Sequence, residues 1–74
     1  MLIYIRSNTL KSFTINVSEK TKIIEIKETI QKTNNFPKEK IILVYDSKKL
    51  DDNKLIDEYN ICENSVIELG VIPN

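Results

Sequence analysis

The chain reads as an α+β domain in which a mixed five-stranded sheet packs on one α-helix. Three observations lead there. Alternating apolar positions mark strands near both ends, at residues 12–17 and 65–72. Between them, Ile23, Ile26 and Ile30 recur at the spacing of one helical stripe. Residues 40–45 then form a run that is apolar on both faces. One helix covering one face of a single sheet gives two layers and one core.

Residues 2–6 are β-rich and form the expected first strand. Residues 12–17 follow as the second, with Phe13, Ile15 and Val17 on one face. The polar stretch 7–11 joins them as a hairpin loop. Asn8 is expected to take a left-handed backbone there, because the loop has no glycine. The helix follows, with Thr21 as its expected N-cap and Glu25, Glu28, Gln31 and Lys32 on its outer faces. Asn34 and Asn35 end it, Asn35 suits the left-handed cap position, and Pro37 prevents continuation. Residues 40–45 make the third strand, Asp46-Ser47 turns it, and residues 48–50 make a short fourth. Residues 51–64 are polar and irregular, anchored by Leu55, Ile56, Tyr59 and Ile61 through one short helical turn. The last strand sends Ile67, Leu69 and Val71 one way and Val66, Glu68, Gly70 and Ile72 the other. The expected core is Ile3, Ile5, Phe13, Ile15, Val17, Ile23, Ile26, Ile30, Ile41, Leu43, Leu50, Ile56, Ile61, Ile67 and Leu69.

Seventy-four residues make one domain, residues 1–74, near the lower limit for an unaided apolar core. Eleven basic and eleven acidic side chains cancel, so nucleic acid and anionic membrane are not expected partners. Cys62 is the only cysteine, which excludes an intrachain disulfide and fits a reducing cytoplasm or nucleus. The first residues lack the basic region and cleavage site of a signal peptide, and no apolar run reaches the roughly 20 residues that span a bilayer. Catalysis has little to work with. There is no histidine to activate a Cys62 nucleophile, and Asp51-Asp52 and Asp57-Glu58 read as solvated turn formers. No metal site, cofactor or enzymatic activity is expected.

The order of these elements, together with several local strings, resembles the ubiquitin family over essentially the whole chain. The matching pieces are Met1 with Ile3, Thr9 and Lys11, then Ile23, Lys27 and Ile30-Gln31 in the helix. Further on come Pro37, Leu43, Lys48 with Leu50, Asp52, the string Asp57-Glu58-Tyr59-Asn60-Ile61, and Ser65 with Leu69. The resemblance implies the ubiquitin-like β-grasp fold in a diverged relative. It also implies that the Tyr59 hydroxyl closes the 51–59 loop by bonding nearby backbone.

The same resemblance directs attention to the outer face of the sheet, where the family binds receptors through an apolar centre with a basic rim. Val44 matches that centre. Asn8 and Gly70 stand where the family has larger aliphatics, Ile42 and Ile72 where it has arginines, and Glu68 where it has histidine. Arg6, Lys48 and Lys49 keep part of the rim. The expected face is therefore an apolar patch displaced toward Ile42, Val44 and Ile72, beside a carboxylate that an Arg6 ion pair would occupy. Isolated apolar residues on a sheet are also commonplace, and only their grouping favours docking. Secondary surfaces are Phe36 with Val71, and Tyr4 with Leu2 and Thr14. Lys11, Lys27 and Lys48 coincide with lysines that carry chains in ubiquitin, and they also read as ordinary surface lysines.

Three functional readings follow. The first is a monomeric, noncovalent adaptor that docks ubiquitin receptors, proteasome or ligase components, either alone or at the head of a larger protein. The second is a protein modifier. Conjugation in that family needs a flexible tail ending in Gly-Gly, whereas this sequence closes on Gly70-Val71-Ile72-Pro73-Asn74, so conjugation of the chain as written is not expected. The third is a structural β-grasp subunit of a fixed complex.

Overall fold

The computed structural model describes residues 1–8 and 11–73. Its strands are β1 (Leu2–Ser7), β2 (Phe13–Asn16), β3 (Ile41–Tyr45), β4 (Lys48–Lys49) and β5 (Val66–Val71). They form one five-stranded sheet in the order β2-β1-β5-β3-β4. β1 and β5 run parallel and the other neighbours antiparallel, so the sheet is mixed as expected. The parallel pair lies at the centre, where both strands are sheltered by neighbours.

Helix α1 (Ile23–Asn34) lays Ile23, Ile26, Lys27 and Ile30 against the sheet. It starts one residue later than the sequence indicates. Lys22 is the N-cap, and Thr21 instead accepts a hydrogen bond at 2.9 Å from the Ser18 amide. The orphan amides at the helix start find distant partners. Ile23 N–H donates to the Lys54 carbonyl at 3.0 Å and Ile24 N–H to that of Asp52 at 3.1 Å. The Glu25 carboxylate closes the turn by accepting from Lys22 N–H at 2.8 Å. At the other end Asn35 has φ 59° and donates to the Gln31 carbonyl, the cap expected of it. Pro37 leads into a short 3₁₀ turn, Lys38–Lys40, before β3.

The irregular segment after β4 is thus the helix's cap. It contains a second 3₁₀ turn, Ile56–Tyr59, with Ile56 fully buried. The Tyr59 hydroxyl accepts from Asp51 N–H at 2.8 Å and closes the loop as the resemblance implies. Lys27, only 7% exposed, reaches the Asp52 carboxylate at 2.6 Å. That contact meets a buried Asp52 oxygen that has no other polar partner among the described residues. Lys27 is therefore a structural residue, and a chain-acceptor role would require its amine to leave this pair.

The core contains the expected residues with one exception. Phe13 is half-buried, because β2 is an edge strand and leaves one side of the ring open. Met1, Phe36, Tyr45 and Tyr59 also pack around the rim of the core. Among the described residues, left-handed backbone occurs at Asn35, Asp46, Ser47, Asn60 and Asn64, and Asn8, expected to adopt it, is not one of these. Thr9, Leu10 and Asn74 lie outside the described residues. Positive φ at both Asp46 and Ser47 matches the two-residue hairpin turn that joins β3 to β4. Leu50 lies just beyond β4 and is buried, so the fourth strand is shorter than expected.

Candidate protein-docking face

Strand alternation divides β3 and β5 into two sides. Ile41, Leu43, Ile67 and Leu69 are buried under the helix. Register then assembles the opposite side: Ile42 pairs with Gly70, Val44 with Glu68, and Arg6 of β1 with the same Glu68. Ile42 and Val44 are half-buried, and Ile72 is 43% exposed. Ile72 N–H donates to the Lys40 carbonyl at 2.7 Å, so the chain beyond β5 continues alongside β3. That bond holds Ile72 on a diagonal from Ile42 and keeps it on the patch.

Gly70 has no positive φ, and a Cβ built there would meet the Ile42 Cβ at 4.0 Å, an ordinary contact. Neither backbone conformation nor crowding requires glycine. Its effect is local: a side chain is missing in mid-strand, leaving a dip beside Ile42. A glycine weakens a strand, and such positions recur where another molecule approaches closely.

Charge surrounds this centre unevenly. Arg6 and Glu68 form an ion pair, with side chains 62% and 57% exposed, so the pair adds little to stability. Lys49 pairs with Val44 and shares its side of the sheet, whereas Lys48 pairs with Tyr45 and lies toward Glu58 and Tyr59. Asn8 borders a small hollow with Arg6 and Glu68. The face thus unites Arg6, Ile42, Val44, Lys49, Glu68, Gly70 and Ile72, has Asn8 at its margin and turns Lys48 aside.

The secondary surfaces fare differently. Phe36 packs half-buried on the core, which suits closure of the helix–sheet junction, and Val71 is exposed opposite Ile41. Leu2 and Tyr4 are exposed, and Tyr4 is flanked by Thr14 on one side and Val66 on the other. Val66 extends this patch. Alternation alone pointed it outward, but only the parallel β1–β5 register brings it beside Tyr4. The outer face therefore carries two apolar areas separated by the Arg6–Glu68 pair.

One α-helix packed on a mixed five-stranded sheet in the order β2-β1-β5-β3-β4 is the architecture of a ubiquitin-like domain. The description of the ubiquitin family matches residues 3–73, and the chain belongs to that family. It is similar to UV excision repair protein rhp23 of Schizosaccharomyces pombe, with 44% identity over 52 residues. That match covers 70% of this chain and only 14% of rhp23, so the likeness concerns a small segment of a longer protein. It is also similar to ubiquitin-like protein NEDD8 of Dictyostelium discoideum, with 32% identity over 69 residues, or 93% of this chain and 90% of that one.

Proposed function

We propose that this chain is a noncovalent docking module that acts as an adaptor in the ubiquitin–proteasome system of the cytoplasm or nucleus. Its binding surface is the outer patch of Ile42, Val44, Gly70 and Ile72, with Arg6, Asn8, Lys49 and Glu68 around it. The single observation that carries the reading is the grouping of three aliphatic side chains about a glycine that the backbone does not need. Burying such a patch against an amphipathic helix gains about 25 cal/mol per Å² of apolar surface, while the charged margin selects the partner. Glu68 places a carboxylate in that margin and favours partners with a complementary cation. The likeness to a segment of rhp23 supports a domain that works within a larger protein. The reading assigns no catalysis to the domain.

Titration with an amphipathic ubiquitin-binding helix, followed by ¹H–¹⁵N NMR, tests it. Saturable shifts at Ile42, Val44, Glu68 and Gly70 are expected. Their absence removes that class of partner.

The likeness to NEDD8 along 90% of its length favours a second reading, a protein modifier. ATP-dependent thioester formation with an activating enzyme by the native gene product would establish it. Capture of a stoichiometric partner insensitive to changes at the outer patch would instead favour a structural subunit.

A further inference from the structure

We propose that the hollow between the two apolar areas of the outer face is a lysine-binding site, and that the partner is an amphipathic helix carrying a lysine between two apolar side chains. The site lies within the docking face argued above, and its role rests on that face binding a helix at all.

The hollow, of about 270 Å³, is lined by Arg6, Val44, Asp46, Ser47, Val66 and Glu68. Register explains the grouping. Arg6, Glu68 and Val44 form one row across β1, β5 and β3. Val66 lies two residues before Glu68 on the same side of β5, and Asp46 lies two residues past Val44. β3 ends at Tyr45, and positive φ at Asp46 (54°) and Ser47 (63°) folds the chain back at once. That tight turn holds Asp46 and Ser47 at the corner of the sheet, beside the two valines. The walls are thus aliphatic and the rim is polar.

Charge decides what enters. Two carboxylates, Asp46 and Glu68, share the hollow with one cation, Arg6, which leaves negative charge in excess. Arg6 donates to Oε1 of Glu68. Among the described residues, Oε2 of Glu68 and the Asp46 carboxylate have no protein partner. Lys49, opposite Val44, does not line the hollow. The smaller hollow near Asn8 differs, because there Arg6 and Glu68 are in balance. A cation on an aliphatic stem suits both features, with methylenes against Val44 and Val66 and charge at the rim. Lysine suits it better than arginine. Asp46, Ser47 and Glu68 offer oxygens on separate side chains to the three divergent N–H groups of an ammonium, rather than one plane to a guanidinium.

The flanking rows fix the rest of the partner. The Ile42–Gly70 pair lies on one side of the Arg6–Glu68–Val44 row, and the Tyr4–Val66 pair on the other. Residues two apart on a strand are separated by about 6.6 Å. A helix lying along β5 presents positions i, i+4 and i+8 at intervals of about 6 Å. An apolar–lysine–apolar pattern at that spacing seats the lysine in the hollow, one apolar side chain against Ile42 and Ile72, and the other against Tyr4. The Leu2–Tyr4–Val66 area then becomes the second half of one footprint.

The test is an NMR titration of the intact chain with three capped, alanine-rich helical peptides. Each carries leucine at i and i+8, with lysine, glutamine or glutamate at i+4. The lysine peptide should give saturable shifts at Asp46, Ser47 and Val66 as well as at Ile42, Val44 and Gly70. The glutamine peptide should bind about two- to fivefold more weakly, and the glutamate peptide more weakly again. Asp46→Asn keeps a residue suited to the left-handed turn and should remove most of the lysine preference, as should Glu68→Gln. Arg6→Ala should increase it by freeing Glu68, and about 1 M salt should shrink it. Equal affinity for the three peptides, or a preference that survives both carboxylate substitutions, would overturn the lysine site and leave the docking face standing. No saturable shift with any of the peptides would overturn both.

Discussion

The two sides of β3 and β5 both carry aliphatic side chains and have different duties. On the inner side Ile41, Leu43, Ile67 and Leu69 meet the helix and are almost wholly removed from water. On the outer side Ile42, Val44 and Ile72 remain reachable, and Gly70 opens space between them. An isoleucine at position 41 and one at position 42 differ only in the direction the pleat sends them. The lesson is that chemical identity says little here, and strand parity says most. Inner positions hold the fold together; outer positions are free to answer to a partner.

The largest expected break in that comparison is on the inner side. Leu43→Ala should cost about 2–5 kcal/mol, read as a lowered denaturation midpoint, because it leaves a cavity beneath the helix. Lys27→Met should cost less, about 1–3 kcal/mol, since it strands the Asp52 carboxylate but leaves a residue that is partly open to water. Tyr59→Phe removes the acceptor of the Asp51 amide and should cost about 1 kcal/mol, with faster amide exchange at Asp51 as its signature. Arg6→Ala, on the outer side, should change stability by less than about 0.5 kcal/mol in thermal melts. If Arg6→Ala destabilised as much as Leu43→Ala, the division between the two sides would fail.

Much of this division was legible in the sequence, because alternation and helical spacing are local signals. The inward set from Ile3 to Leu69 follows from them, as does the outward placement of Ile42, Val44 and Gly70. What escaped was set by contacts distant along the chain. Phe13 has the pattern of a core residue, yet its strand ends at an uncovered edge. Thr21 has the chemistry of an N-cap, yet the helix amides bond carbonyls some thirty residues away and Thr21 turns back to Ser18. The pairing of β1 with β5 leaves no local mark, so the meeting of Tyr4 with Val66 was not visible. The turning-aside of Lys48 follows from a two-residue hairpin whose register only the fold displays.

Val44→Ala tests the central claim most directly, measured by denaturation and by NMR titration with a ubiquitin-binding helix on the same sample. The account predicts a stability loss of no more than about 1 kcal/mol together with clear weakening of the shifts at Ile42, Glu68 and Gly70. An unfolded variant, or a folded one that binds the helix as tightly as the native chain, would contradict it.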